Sequence, residues 1–206
     1  MLYRMKQAAR CCAWGFLSLL AGCVTVTDPT LYLLTSQPGA VLAVQTPKQP
    51  LLVLGLELVE LPKYLKGQRI VLQKTSHELE MAKGQRWAEP LTDNFSRVLA
   101  SNLAQRLGLE QVYLYPRQTP PHTDLLVKVL VNHFIGSPTT GVTLDAHWSL
   151  RNPTQPEAPV PSNHTVLHQA TAALPTDTQV MVATMSDLIA QLADQIATDV
   201  RRVWYK

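Results

Sequence analysis

Leu51-Leu52-Val53-Leu54-Gly55-Leu56-Glu57-Leu58-Val59-Glu60-Leu61 is the stretch that sets the fold class. A strand with one face in water alternates apolar and polar residues, and this run is too uninterrupted for that. It predicts a central strand covered on both faces, stopped by Pro62. The chain downstream provides a helix. Leu91, Phe95, Val98, Leu99, Leu103 and Leu107 recur at helical spacing, with Pro90 at the first turn and Gly108 just past the end. Proline there loses no hydrogen bond, and glycine favours the left-handed C-cap. The apolar stripe is read as core packing against a sheet.

Further strands surround these two elements. Residues 31–34, 69–73, 78–82, 112–115, 125–134 and 166–172 are short β-prone runs. Val142, Leu144, Ala146, Trp148 and Leu150 alternate with Thr143, Asp145, His147, Ser149 and Arg151, which predicts a strand with one wet face. Its pairing with 125–134 as a hairpin through a turn at 136–141 is expected. Prolines at 153, 156, 159 and 161 make 152–162 a stiff surface connection. A second helix follows Pro175 and Thr176, with Met181, Met185, Leu188, Leu192 and Ile196 on its apolar face and Arg201 and Arg202 suiting its C-terminal dipole. The expected class is α/β, a single domain with a mixed sheet packed by two main amphipathic helices. No internal repeat is visible.

The amino terminus carries a different kind of information. Arg4, Lys6 and Arg10 precede an apolar run over residues 11–20, and then Leu20-Ala21-Gly22-Cys23. Ten residues of helix rise about 15 Å, roughly half of a bilayer's ~30 Å hydrocarbon core, so the segment suits a signal peptide better than an anchor. The four residues resemble the lipobox of bacterial lipoproteins. That resemblance implies cleavage between Gly22 and Cys23, an S-diacylglyceryl group and an N-acyl chain on Cys23, and domain limits of 1–22 for the signal, 23–30 for the tether and 31–206 for the folded part. Three acyl chains at about 0.8 kcal/mol per buried methylene make a practically permanent anchor. Val24, in the place where an aspartate retains lipoproteins at the inner membrane, implies the periplasmic face of the cell outer membrane.

Charge and cysteine content narrow the function. The net charge of +3 is a property of the signal, because three of the 18 basic residues and none of the 15 acids lie in it. A neutral mature chain of 184 residues without a Lys or Arg block lacks a nucleic-acid footprint. Cys11 and Cys12 leave with the signal and the lipid occupies Cys23, so neither a disulfide nor a cysteine-ligated metal is expected. The six histidines show no chelating spacing: His164 and His168 stand roughly 13 Å apart on a strand. His133 and His147 could meet across the hairpin, but no acid or cysteine cluster joins them. Asp145 and His147 share a strand face, yet no Gly-x-Ser-x-Gly elbow accompanies them, nor a phosphate loop, a dinucleotide turn or a His-Glu-x-x-His helix. No catalytic residue, cofactor or metal is expected. Trp87, Trp148 and Trp204 are read as partly buried core rather than surface anchors.

Two stretches carry a family resemblance. Leu61-Pro62-Lys63-Tyr64-Leu65-Lys66-Gly67-Gln68-Arg69-Ile70-Val71, followed by Arg86-Trp87-Ala88-Glu89-Pro90-Leu91 and the helix ending Leu103-Ala104-Gln105-Arg106-Leu107, is similar to the ABC-type transport auxiliary lipoproteins, the paraquat-inducible protein C-like family. The likeness covers nearly the whole mature chain, and the Arg-Trp-Ala-Glu-Pro-Leu stretch is its most specific part. It implies a sandwich resembling the anticodon-binding domain and a non-enzymatic accessory role in an intermembrane lipid-transport system. The implied partners are a mammalian-cell-entry-type protein, its inner-membrane permease and the inner leaflet of the outer membrane, with assembly into a homo-oligomeric ring. Arg86, Trp87, Glu89 and Pro90 are the candidate partner-binding residues. The alternatives are a general envelope assembly scaffold or pilot lipoprotein and a tethered periplasmic hydrolase around Asp145 and His147.

Overall fold

The computed structural model describes residues 28–40, 52–155, 161–170 and 177–204. Signal, lipobox and Cys23 lie outside the described residues, as do 171–176, which hold the end of the expected strand 166–172 and the lead-in to the second helix. Within them the chain runs β1 (Thr30–Tyr32), β2 (Leu54–Glu57), a 3-10 turn (Lys63–Leu65), β3 (Arg69–Thr75), β4 (Glu78–Trp87), α1 (Leu91–Leu107), β5 (Tyr113–Tyr115), β6 (Leu125–Ser137), β7 (Gly141–Arg151), β8 (Ser162–Gln169) and α2 (Thr178–Trp204). The eight strands form one mixed sheet, and both helices pack on one of its faces. This is the α/β architecture expected.

The 13-residue β6 organises the sheet. Along one edge it pairs antiparallel with β7 from Leu126 to Ser137, and β8 continues that side. Its other edge is shared: Leu125 to Val127 run parallel to β2, and Gly136 meets Leu72 of β3. Two branches thus grow from one strand, β2–β5 and β3–β4–β1.

Alternation then decides burial. Val127, Val129, Val131 and Phe134 of β6 stand opposite Leu150, Trp148, Ala146 and Leu144 of β7. All eight are buried beneath the helices. Phe95 of α1 meets Phe134 edge-on at 5.1 Å, a geometry the ring quadrupoles favour. On α2 the buried face comprises Met185, Leu188, Ile189, Leu192, Ala193, Ile196 and Val200, the stripe its periodicity predicts. Trp148, buried, donates from Nε1 to Asp199 of that helix at 3.0 Å. Trp87 is likewise core, and Trp204 is half-buried at the margin of the hydrophobic core.

Several boundaries differ from the sequence expectation for identifiable reasons. Of the long apolar run, residues 54–57 pair as strand, parallel on both sides with β5 and β6, and Glu60 adds an isolated parallel bridge to Leu130. Leu54 and Leu56 are fully buried. Gly55 lies under Leu126, whose Cδ1 would be 2.8 Å from an added Cβ, so side chains rather than a second helix layer cover the far face. β4 does not end at 82 but reaches Trp87. Residues 82–85 stand against Ile70 alone, and Gly84 at φ 66° makes the bend that lets pairing resume at Arg86. The first strand ends at Tyr32 instead of continuing to Leu34, because the Leu34 backbone is taken by a helix side chain.

α1 spans the residues its periodicity predicts. Gly108 at φ 65° closes it, with the Gly108 amide returning to the Gln105 carbonyl and the Leu109 amide to the Ala104 carbonyl.

Candidate functional site

The segment that follows β1 is bound into the seam between the helices. Leu34 donates its amide to Asn94 Oδ1 at 2.7 Å, and Asn94 Nδ2 donates back to the Leu34 carbonyl at 3.1 Å. Thr35 donates to Ser186 Oγ of α2, and Gln37 to Asn102 Oδ1 of α1. Asn94, Asn102 and Ser186 are all essentially inaccessible to solvent. Buried polar side chains are retained where they satisfy something, and here they satisfy a backbone outside any sheet. Arg106, also buried, lies below Gly39 and pairs with Asp194 across the helix seam. Asn94, Asn102 and Arg106 follow one i, i+4 line that includes Val98. The sequence signal was a row of polar residues beside the apolar stripe.

A second feature lies on the sheet branch next to that segment. Arg69 and Arg86 are register partners on β3 and β4, and Leu31 is the register partner of Arg86 on β1. Like charges directly opposite one another destabilise a strand pair, and neither arginine has a carboxylate within salt-bridge distance among the described residues. Arg69, Arg86, Tyr64, Gly67, Gln68, Val71 and Met81 line an open hollow. Leu31, Tyr64 and Met81 are exposed at 60%, 41% and 54%. Partial burial pushes the Tyr64 phenol up from its ordinary value. The surface is cationic and apolar together, suited to an acidic, amphipathic partner.

Of the four residues singled out for partner binding, the structure brings only Arg86 to this surface. Trp87 points into the core at 4% exposure. Glu89 pairs with Arg97, and Pro90 is the N-cap of α1, its carbonyl accepting from the amides of Asp93 and Asn94. The stretch that looked most specific in sequence is therefore largely a joint between β4 and α1.

The histidines are arranged differently from the sequence expectation. His133 does not pair with His147: the register sets it opposite Asp145, while His147 faces Leu130 on β6 and His164 on β8. His164 Nε2 is 2.9 Å from Asp145 Oδ1, and the His147 and His164 rings stack with centroids 4.1 Å apart. Burial raises the Asp145 carboxyl, but hydrogen bonds from His164 and Asn132 outweigh it and hold the group below its ordinary value. The member that the sequence spacing did not place beside Asp145 and His147 is His164, supplied by β8, a strand whose register no local pattern announces.

A profile of the ABC-type transport auxiliary lipoprotein component family matches residues 32–197, from the end of β1 into the last turns of α2. The chain belongs to this family. The ABC-type transport auxiliary lipoprotein fold is shared with solved structures. A crystal structure of an uncharacterized protein superposes with a TM-score of 0.66 at 20% identity, covering 84% of this chain and 99% of that one. Protein XCC0632 from Xanthomonas campestris superposes at 0.64 with 18% identity, covering 82% and 92%. Identities this low speak for the fold alone. No curated protein matches the chain. Among the described residues no helix is long and apolar enough to cross a membrane.

Proposed function

We propose that this auxiliary lipoprotein is a non-enzymatic docking component of an intermembrane lipid-transport assembly, held at the periplasmic face of the outer membrane through lipid on Cys23. Its partners in this reading are a mammalian-cell-entry-type protein and the associated inner-membrane permease. Family membership carries the transport role. The bonding of residues 34–37 into the helix seam supports the anchored reading, because it ties the segment just after the tether firmly to the folded domain.

From Cys23 to Thr30 an extended chain reaches at most about 26 Å. Thr30 pairs with Gln85, and Thr178 at the start of α2 bonds to Gln85. That end of the domain is membrane-proximal in this reading. The Arg69–Arg86 surface is assigned to docking an acidic, amphipathic segment of the transport protein. Self-association into a ring belongs to the same proposal.

The deciding experiment isolates the lipoprotein from detergent-solubilised envelopes with its anchor intact and identifies what accompanies it. Recovery of a mammalian-cell-entry protein, reduced at least tenfold by Arg69→Glu with Arg86→Glu, supports docking; envelopes that yield no transport component refute it. Mass spectrometry of the native amino terminus tests the anchor, which an unmodified thiol would exclude. Native mass spectrometry of the same preparation reads the ring, and a monomer alone rejects it.

A further inference from the structure

The face of β6–β7–β8 turned away from the helices carries a group of side chains for which the docking role has no use. Asp145 and His147 stand two apart on β7 and share that face, and His164 on β8 is the direct register partner of His147. One donor atom from each lies within 4.8 Å of the other two. Two ligands at i and i+2 of one strand, with a third beside them on the next, is a placement that regular sheet geometry makes available without distortion.

The sheet is not regular at the neighbouring position. A β-bulge between Val131 and His133 sets two β6 residues, Asn132 and His133, against Asp145. It aims the Asn132 amide at the carboxylate, with Nδ2 donating to Asp145 Oδ1 at 3.1 Å. His164 meets the same oxygen, so Oδ2 of Asp145 has no hydrogen-bond partner among the described residues. Exposed Leu130 and Val166 flank the group, as register partners of His147 and Asp145. A carboxylate oriented by an amide, two adjacent imidazoles and an apolar margin are the parts of a metal site and its supporting shell.

We propose that Asp145, His147 and His164 form a binding site for a divalent transition-metal ion of the zinc class, with the remaining coordination positions open to water. Two imidazoles and one carboxylate favour such ions over magnesium or calcium, which take oxygen ligands. Bonds of roughly 2.0–2.2 Å place tetrahedral donors about 3.3 Å apart. The donors present need to close by about 1.5 Å at most. The rings are inclined by only 15°, so their lone pairs run side by side. Each ring has to swing about its Cβ–Cγ bond to converge, a motion open to exposed side chains with no change in the sheet. Because Asp145, His147 and His164 share no residue with the Arg69–Arg86 surface, the site stands whether or not the docking proposal holds.

The test uses the full mature lipoprotein in detergent, purified without a histidine tag, stripped with chelator and titrated with zinc chloride by calorimetry. One-to-one binding is expected. Asp145→Ala, His147→Ala and His164→Ala each weaken it at least tenfold, Asn132→Ala weakens it about tenfold as loss of a supporting group does, and His77→Ala and His122→Ala leave it unchanged. Cobalt(II) in place of zinc gives the visible absorption of a nitrogen- and oxygen-ligated ion, absent from the triple variant. Thermal melts of the stripped proteins confirm that the variants fold. Single variants that bind zinc as the parent does, or a triple variant that retains the stoichiometric site, overturn the proposal.

Discussion

Asn94→Ala is the substitution that most directly tests how the segment after β1 is held. It removes the acceptor of the Leu34 amide and the donor to the Leu34 carbonyl, bonds of 2.7 and 3.1 Å. Asn94 and Leu34 are each 1% exposed, so water does not replace either bond while the segment stays in place. A buried backbone group left unpaired costs about 1–3 kcal/mol. Two such groups, partly relieved by movement toward the exposed Thr35 side, give about 2–4 kcal/mol. In a domain of this size each kcal/mol lowers the melting temperature by roughly 2–4 °C, so a fall of about 4–16 °C is expected. Gln105→Ala, exposed on the same helix, sets the baseline within about 0.5 kcal/mol. Chymotrypsin provides a second reading, since release of the seam frees the backbone at Tyr32 and the already exposed Leu33 for cleavage before the helices unfold. A melting change under 1 °C, or cleavage there no faster than in the parent, refutes the assignment of these bonds as the clamp.

Other substitutions probe the sheet and its contacts. Gly136→Ala places a Cβ 2.2 Å from Met181 Sδ and is expected to lower stability by about 1–3 kcal/mol, with Met181→Ala in the same chain restoring part of the loss in denaturant melts. Asp199→Ala deprives the Trp148 indole and Asn163 of a shared acceptor and is expected to cost about 1–2 kcal/mol with a shift in tryptophan emission; an unchanged spectrum and stability count against that contact. Burial pushes the His133 imidazole below its ordinary value of 6.5, Asp145 opposing. The unfolded chain therefore takes up a proton first as pH falls below about 6.5, and stability drops from there down to the folded-state value. His133→Gln should flatten that part of the pH–stability curve in chelator-treated protein, and an unaltered slope assigns it to another group.

Local pattern carried the helices, the β6–β7 hairpin and the alternation of β7, because each is settled by residues within a few positions of one another. The α1 stripe from Leu91 to Leu107 and its glycine stop needed no tertiary information. The resemblance in residues 61–71 and 86–91 carried the family. What pattern did not carry were the features made by distant segments. Leu34 leaves the sheet for an asparagine 60 residues away, and β4 continues past 82 because Gly84 bends it back to Arg69. Trp87 was singled out for partner contact on the strength of its motif, but that motif is occupied in joining β4 to α1. The Asp145–His147–His164 group was hidden because its members come from two strands separated by a proline-rich connection. Such a connection leaves the register of β8 undetermined by sequence, and a shift of one residue would turn His164 to the other face.

The direction of β1 has a mechanical consequence. If lipid on Cys23 pins the chain, tension on the anchor enters the described fold next to Thr30, and its component along Thr30–Tyr32 acts parallel to the neighbouring strand β4. Pulled that way, the bonds between the two strands are loaded in shear and must yield together, whereas a strand peeled from its end surrenders them singly. Any force that passes through the anchor is then resisted first by this short strand and next by the asparagine clamp behind it.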